Sequence, residues 1–374
     1  MAMSPAVTST RLPSLTGLRF VAAFGVFLCH VAVFVVAQTG EWRQLMILGL
    51  LGPVGVSLFF VLSGFVLTLS VRGTDTARGF WRRRIVKIYP SHLVVWVLLM
   101  VLAHGIGMPR PSVGAVTAPT LPGDVANAFL VQGLVPLPGI GLAGNGVAWS
   151  LTCELVFYLL FPWLLPRVKR IPERRLLVAA GITVAAAWSV PLLLTAVNGT
   201  LFGQGPPGGQ ISEQQLMFVY LFPLSRLPEF VLGMILARMH TGGRPVRVRA
   251  VASAALLCVT LLVGAATLPT PFLMAATTVV PVALLIRATA ALDVHARRSL
   301  LRTPGMVFLG DISYAFYLVH ATLIAAVLYY IGGGWGPAPV AAVSFAAALG
   351  VAWLLYTHVE QPCMRRFAAG RPRP

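Results

Sequence analysis

Long apolar runs dominate this chain, and short polar or glycine- and proline-rich segments separate them. A helix needs about 20 mostly apolar residues to cross a hydrocarbon core of ~30 Å. Ten runs reach that length, so the pattern predicts ten transmembrane helices. These are expected over residues 14–37, 46–70, 88–107, 147–166, 176–197, 214–237, 250–268, 271–290, 305–331 and 337–358.

Composition supports the same class of protein. Hydrophobic residues make up 57% of the 374 residues and charged residues only 10%, whereas a soluble domain has about a quarter charged residues. We therefore predict an all-α, polytopic integral membrane bundle. It forms one membrane-embedded domain over residues 1–374, with cytoplasmic tails at 1–13 and 364–374. The four cysteines are far apart and suggest neither a disulfide framework nor a metal site.

The formal net charge of +18 becomes informative once it is placed relative to the membrane. If both termini are cytoplasmic, 25 of the 28 basic residues lie in inward segments, while Arg43 and Arg110 lie outside. This asymmetry is typical of the positive-inside rule. It indicates a multi-pass protein of the plasma membrane, expected to be a bacterial inner membrane. The charge therefore does not indicate nucleic-acid binding, and the lipid bilayer is the expected partner.

Ionisable residues inside the predicted spans need a reason, because they are costly at bilayer depth. Arg19 and His30 are eleven residues apart in the first span, which puts both on one helix face about 16 Å apart along the axis. A cation and a titratable base on one stripe suit an elongated anionic substrate. Alternatively, Arg19 extends to the interface and His30 is a hydrogen-bonded packing residue.

Three other spans carry polar groups. In the fourth span, Ser150 and Glu154 are expected near the depth of His30, where Glu154 can orient that histidine or form a buried ion pair with an arginine. In the sixth, Arg226 and Glu229 are three residues apart, and structural pairing is the favoured interpretation. In the ninth, His320 reaches a depth similar to that of His30, which favours a shared site.

A basic stripe precedes the third span, where the chain reads FWRRRIVKIYP over residues 80–90. Arg84 and Lys87 are three residues apart and share a helix face. Such a stripe can bind phosphate groups, with arginine offering two parallel hydrogen bonds. The alternative is a topology anchor that contacts anionic lipid headgroups.

Together these segments resemble the acyltransferase-3 family of integral-membrane acyltransferases over nearly the whole chain. Each segment alone is weak evidence, but all of them follow the order found in that family. The matching segments are LTGLR at 15–19 with His30, FFVLSGF at 59–65, the arginine-rich stretch ending at Tyr89-Pro90, WSLTCE at 149–154 with Phe157-Tyr158, RLPEFVLG at 226–233, ISY at 312–314 with His320, and EQP at 360–362.

The resemblance implies transfer of an acyl group, commonly acetyl, from acyl-coenzyme A to a hydroxyl. Family acceptors include exported glycans, lipid-linked sugars and macrolide antibiotics. The functional Arg and His of the family's first span fall on Arg19 and His30, and its basic motif falls on Arg84 and Lys87. Lysine at the second position departs from the family's arginine and loses its planar fork. No permanently bound cofactor or metal is expected, since acyl-coenzyme A is a co-substrate.

The expected mechanism uses His30 as general base and Glu154 to orient it. Arg19, Arg84 and Lys87 are the expected donor-binding residues. Candidate lining groups of the site are Ser150, Arg226, Glu229, Tyr314 and His320, and Ser150, Tyr314 or a backbone N–H can stabilise an oxyanion.

Several alternatives stay open on the sequence. A covalent route would use Cys29 or Cys153. A proton-coupled secondary transporter would use the same intramembrane groups as a proton relay, and a structural role is a third possibility. The acceptor, a macrolide-type compound or a glycan, the acyl chain length and the oligomeric state also remain open.

Overall fold

The computed structural model describes residues 12–39, 47–71, 75–108, 120–197, 212–246, 248–332 and 334–368. Within these ranges the chain is helical and has no strand. The α-helices are α1 (Pro13–Thr39), α2 (Leu51–Ser70), α3 (Ala77–Met100), α4 (Leu121–Ala128), α5 (Trp149–Arg170), α6 (Leu176–Ala196), α7 (Glu213–Leu216), α8 (Pro223–Thr241), α9 (Ala250–Thr267), α10 (Thr270–Ala275), α11 (Val279–Val294), α12 (Pro304–Tyr330), α13 (Pro337–Leu355) and α14 (Gln361–Cys363).

Ten helical segments of the described chain are long and apolar enough to cross a membrane. The predicted all-α membrane bundle with ten spans is therefore confirmed. Single π-helical turns extend some segments, so that α3 continues through Val101–Gly105 and α13 through Tyr356–Glu360. The predictions for Arg43, Arg110 and the two chain ends concern residues that lie mostly outside the described ranges.

Two span boundaries differ from the prediction by ten residues or more. The third spanning helix begins at Ala77 instead of residue 88, because the Thr76 hydroxyl accepts a hydrogen bond from the Gly79 N–H at 3.1 Å and caps the helix. The basic stripe at 80–90 is therefore part of the helix. The last segment continues to Ala368, ten residues past its predicted end.

Helices α1, α2, α8 and α12 form the centre of the bundle, where α2 packs on α8 and α1 on both α2 and α12. Glycines allow these close contacts. A Cβ at Gly64 would overlap the carbonyl oxygen of Phe230, and a Cβ at Gly233 would overlap that of Val61. Because small residues let backbones approach, van der Waals packing can hold membrane helices together. In contrast, α6 and α9 are largely exposed and lie at the periphery.

The covering segment, residues 120–148 before α5, lies over one end of the bundle, which the charge pattern predicts to be the outer end. Two of its hydrogen bonds are buried: the Asp124 carboxylate accepts from the Gly144 N–H at 2.8 Å, and the Asn145 amide donates to the Leu318 carbonyl at 2.8 Å. Helix α5 therefore begins at Trp149 beneath this cover, inside the bundle. This start determines the depth of every α5 side chain.

Candidate functional site

Two cavities stand out in the described part of the bundle. The basic cavity has a volume of about 560 Å³ and is lined by Arg19, Arg84, Lys87, Glu154 and Arg365, among others. The histidine cavity has a volume of about 230 Å³ and is lined by His30 and by mostly apolar residues. The larger volume falls within the range of ~300–1,000 Å³ found for ligand pockets, and the smaller lies just below it.

Most predicted site residues lie in the basic cavity. Four helices bring them together, and each of these helices contributes one or two of the predicted residues to the wall. The predicted residues that line this cavity are Arg19 on α1, Arg84 and Lys87 on α3, Ser150 and Glu154 on α5, and Tyr314 on α12.

The two arginines of this cavity differ from its lysine. Lys87 forms an ion pair with Glu360, the first residue of the EQP segment, so its charge is already neutralised. Neither Arg19 nor Arg84 forms a hydrogen bond or an ion pair with the described part of the chain. The Arg84 guanidinium lies near the rings of both Phe80 and Tyr158, at 5.5 and 5.9 Å from their centroids. The cavity therefore offers two guanidinium groups whose donors can bind an anion.

Glu154 does not contact His30. The prediction that Glu154 orients His30 therefore does not match the structure. The Glu154 carboxylate accepts a hydrogen bond from the Tyr158 hydroxyl at 2.8 Å and lies in the field of Arg19 and Arg84. The reason is the buried start of α5. Trp149 lines the histidine cavity, whereas Ser150 and Glu154 already line the basic cavity.

The partner of His30 is a second histidine. His30 Nδ1 lies 3.0 Å from His320 Nε2 and 3.0 Å from the Val26 carbonyl oxygen. His320 Nδ1 lies 2.7 Å from the Tyr317 carbonyl oxygen. The similar depth predicted for His30 and His320 is thus present as a direct contact, with His320 fully buried behind His30.

These partners assign the hydrogens on both rings. A carbonyl oxygen can only accept, so Nδ1 of each histidine carries a hydrogen. His320 Nε2 then has the lone pair that accepts from His30 Nδ1. The remaining nitrogen, Nε2 of His30, carries a lone pair and has no hydrogen-bond partner in the described chain. Since the His30 ring lines the histidine cavity, this arrangement presents a base to whatever enters it.

Arg226 and Glu229 form the expected pair but line neither cavity. The Arg226 guanidinium forms an ion pair with Glu229 at 2.9 Å, and it donates hydrogen bonds to the Ser57 hydroxyl at 3.0 Å and to the Met274 carbonyl at 2.8 Å. Both side chains are almost completely buried. The pair joins α8 to α2 and α10, which is a structural arrangement.

Arg365 and Tyr317 are among the cavity residues that the sequence did not predict as part of the site. Arg365 follows the EQP segment and lines the basic cavity, and the basic pair Arg365-Arg366 was its available signal. Tyr317 lines both cavities, and only its spacing of one helical turn from His320 indicated it. Of the two cysteines considered for covalent chemistry, Cys29 lines the histidine cavity and Cys153 lines neither.

Comparison with known proteins adds the family. The family model described as "Acyltransferase domain" matches residues 12–357. The chain is 40% identical to acyltransferase MdmB of Streptomyces mycarofaciens, covering 97% of this chain and 94% of that protein. It is 30% identical to the exopolysaccharide production protein ExoZ of Rhizobium meliloti, covering 86% and 92%. Nodulation protein 10 of Rhizobium leguminosarum is 27% identical, covering 83% and 82%. No solved structure gives a significant match.

Proposed function

The chain belongs to the acyltransferase-3 family, and from this premise we propose that it is an O-acyltransferase that uses acyl-coenzyme A as donor. The observation that carries the proposal is the pair of adjoining cavities. One contains two guanidinium groups without a hydrogen-bonded carboxylate, and the other contains a histidine with a free lone pair. A phosphate-bearing donor fits the first, and a hydroxyl acceptor fits the second.

Donor binding follows from charge. Coenzyme A carries several phosphate charges, and arginine binds phosphate through two parallel hydrogen bonds. Arg84 and Arg19 are the proposed contacts inside the basic cavity, with Arg365 as a further basic group in its wall. We propose a smaller contribution of Lys87 to donor binding, because its ammonium group already forms an ion pair with Glu360. The narrow pantetheine arm then brings the thioester towards the histidine cavity.

The reaction needs one base. The acceptor oxygen attacks the thioester carbonyl carbon while its proton passes to Nε2 of His30. The C–S bond then breaks, and the coenzyme A sulfur leaves with the proton from His30 as a free thiol. General-base help of this kind supplies about 10²–10⁴-fold. His320 supports the step because its Nε2 accepts from the His30 Nδ1–H, and that hydrogen bond strengthens when His30 becomes an imidazolium.

The acceptor we propose is a hydroxyl of an apolar natural product of the macrolide type. The wall of the histidine cavity is mainly apolar, with Val33, Phe34, Leu99 and Trp149 among its residues. A glycan would bring several hydroxyls into this wall, and each unpaired hydroxyl costs free energy. The cavity is small, so only the hydroxyl-bearing end of such an acceptor enters it.

Thiol release from acetyl-coenzyme A by the purified protein in detergent tests the proposal, with a panel of macrolide and glycan acceptors. We expect release that depends on a macrolide acceptor. His30→Ala should abolish it, while His295→Ala, an exposed histidine after α11, should retain it. Full activity of His30→Ala would contradict the base role. Absence of release with acyl-coenzyme A donors of several chain lengths would contradict the donor, and coupled proton uptake would then favour a transporter.

A further inference from the structure

Tyr317 stands where the two cavities meet. Val56 and Tyr317 are the described residues that line both cavities. Val56 contributes only methyl groups, so the polar group on the shared wall is the Tyr317 hydroxyl. Its oxygen lies 2.9 Å from Oγ of Ser150, a residue of the basic cavity, and 3.1 Å from the carbonyl oxygen of Val147, a residue of the histidine cavity. The hydroxyl thus contacts one residue of each cavity.

The hydrogen bonds around this hydroxyl leave it free to change its acceptor. Ser150 also donates to the Val147 carbonyl, at 3.1 Å. Two hydroxyl hydrogens therefore serve three contacts. If Tyr317 turns its hydrogen towards a new acceptor, Ser150 still satisfies the buried carbonyl of Val147. Releasing the Tyr317 hydrogen therefore leaves no buried carbonyl without a donor, which would otherwise carry a large cost.

We propose that the Tyr317 hydroxyl donates a hydrogen bond to the thioester carbonyl oxygen as negative charge develops on it. This inference rests on the proposed function, in which the thioester reaches the boundary of the two cavities. When the acceptor oxygen attacks the carbonyl carbon, the π electrons of the thioester C=O bond move to the carbonyl oxygen. They return to re-form the C=O bond when the C–S bond breaks and the thiol leaves with the proton from His30. A hydroxyl donor held at the boundary of the cavities stabilises the negative charge on the carbonyl oxygen.

The backbone of the same residue supports the base. The Tyr317 carbonyl accepts from His320 Nδ1, which leaves His320 Nε2 able to accept from His30. The ring of Tyr317 packs edge-on against Phe59, with centroids 5.8 Å apart. Tyr317 therefore holds one group for each charge of the transition state: its hydroxyl for the oxyanion and its carbonyl for the histidine pair.

Tyr317→Phe isolates the first of these groups. The variant keeps the ring, its packing on Phe59 and the backbone carbonyl, and it removes only the hydroxyl. We expect kcat to fall by about 10²–10³-fold, the range seen for loss of one oxyanion donor. The KM values of donor and acceptor should stay within about threefold, because the lost bond forms mainly in the transition state. Tyr329→Phe, the same change at an exposed position of α12, should leave kcat unchanged.

Two further measurements separate the donor role from a structural one. Binding of an unreactive thioether analogue of acetyl-coenzyme A should be the same for Tyr317→Phe and the unsubstituted protein. Difluorotyrosine at position 317 keeps the shape but makes the hydroxyl more acidic, and it should alter kcat without altering analogue binding.

A kcat of Tyr317→Phe within about threefold of the unsubstituted value would overturn the inference and leave the proposed function standing. If Tyr317→Phe does not bind the analogue, the difluorotyrosine protein decides, and an unchanged kcat overturns the inference. Absence of thiol release from the unsubstituted protein would overturn both.

Discussion

The base role that we propose for His30 depends on the neighbours of its other ring nitrogen. Nδ1 is shared between the Val26 carbonyl and His320 Nε2, both at 3.0 Å. A hydrogen shared between two acceptors keeps one tautomer, so the lone pair stays on Nε2. In a catalytic triad a carboxylate has this place. Here a neutral histidine has it, which avoids burying a negative charge.

His320→Ala should lower kcat by about 10–100-fold with little change in either KM. The expected loss is smaller than the ~10⁴-fold seen when a triad residue imposes the wrong tautomer, because the Val26 carbonyl still holds the His30 hydrogen. Thiol-release rates at saturating substrates measure the effect.

His320→Gln is the matched variant, since its side-chain oxygen can accept from His30 Nδ1. It should recover part of the lost rate, and equal losses in the Ala and Gln variants would argue against hydrogen bonding as the cause.

Arg84→Ala should raise the KM for the donor by about tenfold or more, since a hydrogen bond to a charged group contributes about 1.5–3 kcal/mol. The acceptor KM should not change. Arg84→Lys keeps the charge but loses the planar fork of the guanidinium. Its donor KM should lie between those of the unsubstituted protein and Arg84→Ala. Arg78→Ala removes an exposed arginine of the same helix and is the control. An unchanged donor KM in Arg84→Ala would remove this residue from donor binding.

At the scale of the elements, helix contacts decide which side chains meet. The first residues of α5 lie under the covering segment. As a result, the adjacent residues Trp149 and Ser150 line different cavities, the histidine cavity and the basic cavity respectively. Helices α2 and α8 approach through Gly64 and Gly233, where neither backbone leaves room for a Cβ. The depth and spacing of the cavity walls follow from these two features.

Gly233→Ala should destabilise the bundle by about 1–3 kcal/mol, the usual cost of overpacking, because the new methyl group meets the Val61 carbonyl oxygen. Gly181→Ala is the matched control, since a Cβ there has no heavy atom within 4 Å. It should leave stability unchanged or raise it slightly, because alanine favours a helix. Thermal unfolding in detergent measures both. Equal unfolding temperatures would show that α2 and α8 can separate without cost.

For the whole molecule, charge asymmetry predicts which end faces the cytoplasm. The basic cavity, with Arg84 and Arg365 in its wall, should open to the side that holds acyl-coenzyme A. The covered end with the histidine cavity should face outwards. If donor and acceptor enter from opposite sides of the membrane, the enzyme can use a cytoplasmic donor while its acceptor stays outside.

Leu137→Cys and Thr241→Cys test this orientation, in a background where Cys258 and Cys363 are serine. Leu137 is exposed in the covering segment, and Thr241 is exposed at the end of α8. A membrane-impermeant maleimide should label the first in intact cells and the second only after lysis. The reverse labelling would invert the predicted topology.

Much of the fold was predictable from the sequence because hydrophobic length is a local property. All ten spans were found, and only their ends differed, where the Thr76 cap and the long C-terminal helix extend them. The Arg226–Glu229 contact was also predictable, since residues three apart on a helix are neighbours in any fold. The sequence also identified six polar residues that line the basic cavity, namely Arg19, Arg84, Lys87, Ser150, Glu154 and Tyr314.

Only the tertiary structure decided which of these polar groups act on each other. Sequence spacing placed Glu154 beside His30, whereas the structure places His320 there and puts Glu154 in the basic cavity. The packing of the helices also places Tyr317 at the boundary of the two cavities. These pairings depend on the depth at which each helix starts and on its rotation against its neighbours. Covering segments and close glycine contacts fix both quantities, and they join residues far apart in the chain.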